Sequence, residues 1–310
     1  MKKNCVSTIL VFCLIFISNS VLTSRESAEN RNTDINIVLA HGIFGLNTVG
    51  STNYFNGVER HLKNNHNAKV LITNVSPVGS IRERGNQLRQ QIINAINNPD
   101  EYPFFNPKAP IHIIAHSMGG LDSRFILSPA NPDNIANLIT SLTTIGTPHK
   151  GSPLADLFFL GVNPLVELLN LWFNIDEFMK SLSELGIKKD GIHDLTIVAM
   201  RNFNQEYEDN PNVSYFWVAG IGRDGSLNKT SHALSLTHAY IKIVTQEDND
   251  GAVALSSAKH GEAIGEPWFA DHLDQVGHDL DHPPSGIPEN FNYLVKYDEI
   301  IARIQSIQSD

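Results

Sequence analysis

Three observations predict an α/β chain with a mostly parallel central sheet flanked by helices. Short uninterrupted apolar runs recur, segments with apolar residues at helical spacing lie between them, and the two alternate along the 310 residues. INIVLA (35–40) reads as a fully buried strand, and VLITNV (70–75) as the next. Between them Tyr54, Phe55, Val58 and Leu62 share one helical face. RERGNQLRQQIINAINN (82–98) aligns Leu88, Ile92, Ala95 and Ile96, and Pro99 closes it. IHIIA (111–115) is a third strand, and GGLDSRFIL opens the helix after it. LITSLTTIG (138–146), VSYFWVAG (213–220) and YIKIVT (240–245) read as further strands, with a closing helix over 289–307. No low-complexity linker divides the chain, so one domain is expected over residues 25–310.

The first residues follow a different pattern. Lys2 and Lys3 precede an apolar stretch from Cys5 to Ile17, and the small residues Ser18 and Ser20 follow. A run of about thirteen apolar residues is too short to span a bilayer and matches a secretory signal over 1–24. A lipoprotein reading would use Cys13, but bulky Phe12 stands before it where a lipid-attachment signal needs a small residue. Cleavage would remove Cys5 and Cys13, the only cysteines, so the exported chain would have no disulfide. It would also remove both lysines, taking the net charge from −10 to −12. An acidic surface argues against nucleic acid as a partner.

Residues 154–179 hold more apolar side chains than one buried helix face needs, and Gly161 and Pro164 divide them. Asp156, Glu167 and Pro164 argue against a membrane span. Two readings remain: a pair of core helices, or a helical lid over 152–180 that covers a site in water and opens on a lipid surface.

IIAHSMGGLDSRFI (113–126) carries the chemistry. A buried strand enters, Ser117 falls on the turn and Gly119-Gly120 open a helix, which is the setting of a nucleophile elbow. Small residues are required two before and two after the serine because strand and helix back onto each other there. Ala115 takes the place of the commoner glycine. A nucleophilic serine also needs two backbone N–H groups as an oxyanion hole. Met118 at the helix start supplies one, and Ile43 in LAHGIFG is expected to supply the other, although a plain glycine loop would give the same five residues.

LAHGIFG, IAHSMGG, TIGTPHKGSPLAD, DNDG and DHLDQV stand in this order over Asn36 to Val276. In these blocks the chain resembles the bacterial family I true lipases, the secreted Pseudomonas and Burkholderia type, which have the α/β-hydrolase fold. IAHSMGG is also similar to the small Bacillus lipases, whose shorter chains lack the later blocks. The likeness is weakest in the lid and from Ser181 to Asn212. In this fold the acid and then the histidine follow the serine. His260, His272, His278 and His282 all lie downstream, and Asp248 competes with Asp250 in EDNDG. The resemblance selects Asp250, before glycine, and His272 in DHLDQV. The chemistry it implies, acyl transfer through an acyl-enzyme, needs no cofactor.

The resemblance also implies a structural calcium held by two aspartates. One matches Asp274, whereas His232 stands where the family has the other, and a hard cation prefers oxygen. HDLDH (278–282) would offer a transition-metal cluster but reads better as a polar loop. The implied activity is ester hydrolysis of acylglycerols at an oil–water interface by a monomer, with a lipase-specific foldase as a further partner. An esterase, phospholipase or acyltransferase of the same fold, or a non-catalytic lipid-binding exoprotein, are the alternatives.

Overall fold

The computed structural model describes residues 34–45, 53–106, 108–159, 190–222, 230–231, 234–278 and 291–307. The strands are β1 (Asn36–Ala40), β2 (Lys69–Ile72), β3 (Ile111–His116), β4 (Ile139–Ile145), β5 (Ser214–Val218) and β6 (Glu262–Ala263). They pair in the order β2-β1-β3-β4-β5-β6, and every pairing is parallel.

Helices cover both faces: α1 (Val58–His66), α2 (Ile81–Asn97), α3 (Gly119–Leu127), α4 (Pro153–Phe159), α5 (Asp190–Asp194), α6 (Ile197–Glu206), α7 (Ser235–Thr245), α8 (Leu255–Ala258) and α9 (Tyr293–Ser306). Side chains alternate along a strand, so β1 sends Ile37 and Leu39 to one face and Val38 and Ala40 to the other. The first pair packs with Ile114, Phe216 and Val218 beneath Leu62 of α1 and Ile300 and Ile304 of α9. The second packs with Ile113, Ala115 and Leu142 beneath Leu88 and Ile92 of α2 and Leu121 and Phe125 of α3. Each buried Val, Leu, Ile or Phe among these contributes roughly 1.5–3 kcal/mol on burial.

The helix starts follow from local chemistry. Ser80 caps α2 by accepting the N–H of Glu83, Thr196 caps α6 through Ala199, and Asn292 caps α9 through Leu294 and Val295. The second strand stops at Ile72, three residues short of its expected end, because Val75 N–H turns to donate to His41 Nε2.

One expected strand is a helix. YIKIVT (240–245) belongs to α7, with Thr237 and Ile241 buried four residues apart. Its β-branched residues suggested a strand, but Ile243 and Val244 are exposed, and the sixth strand is the two-residue β6. Residues 1–24 lie outside the described residues, as does the lid region apart from α4. Among the described residues no helix is long and apolar enough to cross a membrane.

Candidate active site

β3 ends at His116 and α3 begins at Gly119, leaving Ser117 and Met118 to make the whole turn. Ser117 has φ 54°, a left-handed conformation costing a residue with a Cβ about 1–2 kcal/mol. Neighbours hold it there: its N–H donates to Ile145 O at 2.9 Å, and its carbonyl accepts Thr147 Oγ1 at 2.8 Å. A Cβ at Gly119 would lie 2.4 Å from the Ala40 carbonyl oxygen, so α3 can approach β1 only with glycine there. Ala115 is fully buried at the position two before the serine.

The HGIFG loop lies against the serine. A Cβ on Gly42 would fall 2.6 Å from that of Ser117. Among the described residues, the N–H groups of Ile43 and Met118 donate to no protein acceptor. Neighbours on both sides fix the loop. His41 Nδ1 donates to Gly42 O at 2.8 Å while its Nε2 accepts Val75 N–H, which settles a neutral ring. Burial and then the nearby Arg84 charge press His41 down to about 4. Arg84 of α2, fully buried, donates to His41 O at 2.8 Å, to Ser76 O at 2.6 Å and to Asp122 Oδ2 at 2.9 Å. Burial raises Asp122 to about 6 against the pull of that guanidinium.

Asp250 follows α7 rather than a strand. It lies in a loop closed by the Asn249–Ala254 bridge and by its own N–H to Val253 O. Its Oδ1 accepts the N–H groups of Ala252 and Val253 at 2.9 and 2.7 Å. Its Oδ2 accepts His272 Nδ1 at 2.8 Å and Gln275 Nε2 at 2.9 Å. Four donors therefore hold a fully buried carboxylate, and His272 N–H adds a bond to Asp250 O at 2.8 Å. Asp248 instead pairs with Lys242 on the surface.

The structure brings Asp250 and His272 together and sets both beside the elbow. The His272 ring lies 4.5 Å, centroid to centroid, from that of His116, the residue preceding Ser117. Among the described residues no hydrogen bond joins Ser117 Oγ to His272, a contact that apo sites commonly complete only with substrate. The other downstream histidines are occupied elsewhere: His260 bonds Asp209 and stacks on His149, and His278 bonds Tyr54 O. His282 and His232 lie outside the described residues.

Several contributors had gone unrecognised in the sequence. Gln275 Nε2 donates to Asp250 Oδ2, and Tyr54 Oη is hydrogen-bonded to His116 Nδ1 at 2.7 Å, while burial pushes His116 well below the ordinary imidazole range. Gly146, at φ 55°, ends β4 where a Cβ would come 2.4 Å from Gln275 Oε1 and 3.0 Å from Asp250 Oδ2. Only Arg84 left a readable signal: it lies on the apolar stripe of α2, between Ile81 and Leu88 at helical spacing.

Asp274 is buried, and its Oδ2 accepts the N–H of Asp271, itself a buried carboxylate. Around Asp274 the described residues assemble no group of three metal-ligating side chains.

A parallel sheet in this order, a serine at positive φ between its third strand and the following helix, and an acid–histidine pair beside that turn define an α/β-hydrolase. Residues 76–221 match the model of the PGAP1-like alpha/beta domain. The chain is 28% identical over 277 residues to the triacylglycerol lipase of Pseudomonas fragi, covering 81% of this chain and 90% of that one. It is 28% identical over 296 residues to the triacylglycerol lipase of Vibrio cholerae, covering 86% and 89%. The solved Staphylococcus hyicus lipase shares the fold at TM-score 0.66 and 20% identity over 90% of this chain and 97% of that one. These likenesses support a bacterial lipase of the α/β-hydrolase type, a carboxylic ester hydrolase.

Proposed function

We propose that the chain is an exported lipase that cleaves acylglycerol esters through Ser117, His272 and Asp250. The observation that carries this reading is the Asp250–His272 bond fixed beside a serine at positive φ. Donation from Nδ1 to Asp250 leaves His272 Nε2 as the base. In the proposed reaction Ser117 Oγ attacks the acyl carbon, and His272 takes the hydroxyl proton. The carbonyl oxygen becomes an oxyanion, which the N–H groups of Ile43 and Met118 receive, and the dipole of α3 favours its charge. His272 then protonates the departing alcohol, and water, deprotonated by the same ring, releases the fatty acid and restores Ser117.

Acylglycerols are favoured because the Pseudomonas fragi and Vibrio cholerae relatives are named triacylglycerol lipases. Leu236, Ile243 and Val244 of α7 also expose apolar surface suited to an oil–water interface. No cofactor enters the chemistry, and no step runs through calcium. Export through residues 1–24, action as a monomer and a lid over 152–180 belong to the same proposal. Recovery of activity on refolding without a partner would remove the foldase from it.

The test is hydrolysis of a long-chain triacylglycerol emulsion by the purified protein and by Ser117→Ala, with and without a calcium chelator. Activity above the substrate's solubility limit, lost in the variant, is expected. Cleavage of short soluble esters alone would overturn the acylglycerol reading in favour of an esterase, and activity surviving in Ser117→Ala would remove the serine from the mechanism. Loss of activity with the chelator would assign the calcium.

A further inference from the structure

Away from this site, three metal-ligating side chains converge where α1 packs against α9. His61 and His66 come from α1, and Asp298 comes from α9. Both Nε2 atoms reach the same carboxylate oxygen: His61 at 2.6 Å and His66 at 2.5 Å from Asp298 Oδ1. The three candidate ligand atoms lie within 4.8 Å of one another, and no other such group occurs among the described residues. His61 is further fixed by Asn65, whose amide lies 2.9 Å from Nδ1. Both histidines are largely buried, whereas Asp298 keeps 37% of its side-chain surface exposed, so the cluster opens to solvent on one side.

We propose that His61, His66 and Asp298 form a zinc-binding site that clamps α1 to α9. Two imidazoles and a carboxylate suit zinc, a tetrahedral ion of intermediate softness, better than calcium or magnesium, which prefer all-oxygen shells. At zinc–ligand distances of about 2.0–2.1 Å, tetrahedral ligand atoms stand about 3.3 Å apart. The present contacts of 2.5 and 2.6 Å must therefore open by about 0.7–0.8 Å. Rotation of the half-exposed Asp298 side chain supplies that movement, while the imidazoles stay on their helix. Binding through Nε2 puts the His61 proton on Nδ1, and Asn65 accepts it by turning its amide oxygen inward. Water from the open side completes the four ligands.

The clamp lies behind the loop that carries His272. Tyr297 of α9 donates to Gln275 O at 3.3 Å, and Tyr293 donates to Asn56 O at 2.9 Å. Asn56, just before α1, holds Gly277 O and Val276 O. Tying α1 to α9 therefore stiffens the frame of that loop without touching the reacting atoms. Zinc binding here does not depend on the proposed triad.

The test is calorimetric titration of zinc into untagged, chelator-treated full-length protein, beside Asp298→Asn and the double variant His61→Ala/His66→Ala. One zinc per chain is expected, with affinity at least about a hundredfold weaker in Asp298→Asn and lost in the double variant. Cobalt in place of zinc should give the visible bands of a tetrahedral site, and zinc should raise the Tm of wild type by several degrees and not that of the double variant. Equal zinc binding by wild type and both variants, or no binding by folded wild type, would overturn the proposal. If the double variant fails to fold, Asp298→Asn and the cobalt spectrum decide the matter. An octahedral spectrum or unchanged affinity in Asp298→Asn would reject the site.

Discussion

Ser117 and the Asp250–His272 pair meet at one place but are held there by different forces. The serine is set by backbone: a left-handed φ, a strand on one side, a helix on the other, and glycines where a Cβ would collide. The acid and the histidine stand on loops, set by side-chain and loop hydrogen bonds, with four donors on one carboxylate and Gln275 among them. Backbone control demands particular small residues at particular spacings. Hydrogen-bond control demands only donors within reach, which many sequences can supply. The first half should therefore fail abruptly when altered and the second by degrees.

Ser117 offers the sharpest break. Ser117→Ala should cut kcat by about 10⁶ while leaving stability nearly unchanged, since alanine keeps the strained Cβ. Ser117→Gly should be equally inactive but more stable by about 1 kcal/mol, because glycine accepts φ 54° without strain. Esterase assays beside urea denaturation check both, and a glycine variant no more stable than alanine would mean that the turn stores no strain.

On the other half, Asp250→Asn keeps an oxygen for the Ala252 and Val253 N–H groups but turns an amide toward His272 and Gln275. The protein should fold, with kcat lower by about 10⁴ through loss of the productive tautomer. Gly146→Ala joins the halves: it forces a Cβ into the space of Gln275 and Asp250 at a positive φ, and should cost about 2–4 kcal/mol of stability together with most of the activity. Gln275→Ala should lower kcat only about 10–100-fold, as loss of an orienting partner does, with the alanine variant's thermal melt showing whether the loop survives.

The same division explains what could be read beforehand. Five of the six strands were legible from their apolar runs, and the turn at Ser117 and the glycines of HGIFG because steric limits on the backbone restrict residue type. Asp250 could be separated from Asp248, and His272 from His260, only by resemblance, because nothing local distinguishes one loop carboxylate from another. YIKIVT misled because its β-branched residues carry strand propensity, while the burial of Thr237 and Ile241 on one helical stripe outweighs it. Gly146, Tyr54 and Gln275 act through contacts between distant segments, which no single stretch of sequence contains.

The smallest expected effect separates the halves by pH. Buried neutral histidines cluster on the strand-and-elbow side: burial takes His41 and His112 down to about 4 and holds His116 well below its ordinary value. Between pH 6.5 and about 4 the unfolded chain binds protons that these folded rings refuse, so stability falls as pH drops through that window. Asp122 opposes them. Its folded value near 6 lies above the unfolded 3.8, so the native state binds the extra proton between those limits and gains stability as pH falls. Burial also raises Asp156 and Asp194, but with His149 four lowered histidines outnumber the three raised carboxylates, and the net slope near pH 5 should be destabilising toward acid, about 1.4 kcal/mol per pH unit for each net proton. His112 lies far from the chemistry, its Nδ1 bonded to Ser141 Oγ at 2.8 Å in the middle of the sheet. His112→Gln should therefore flatten the slope by one proton's worth and leave kcat at pH 7 unchanged. Urea denaturation of both proteins at pH 7, 6 and 5 measures this, and parallel curves for the two would show that His112 is protonated in the folded sheet.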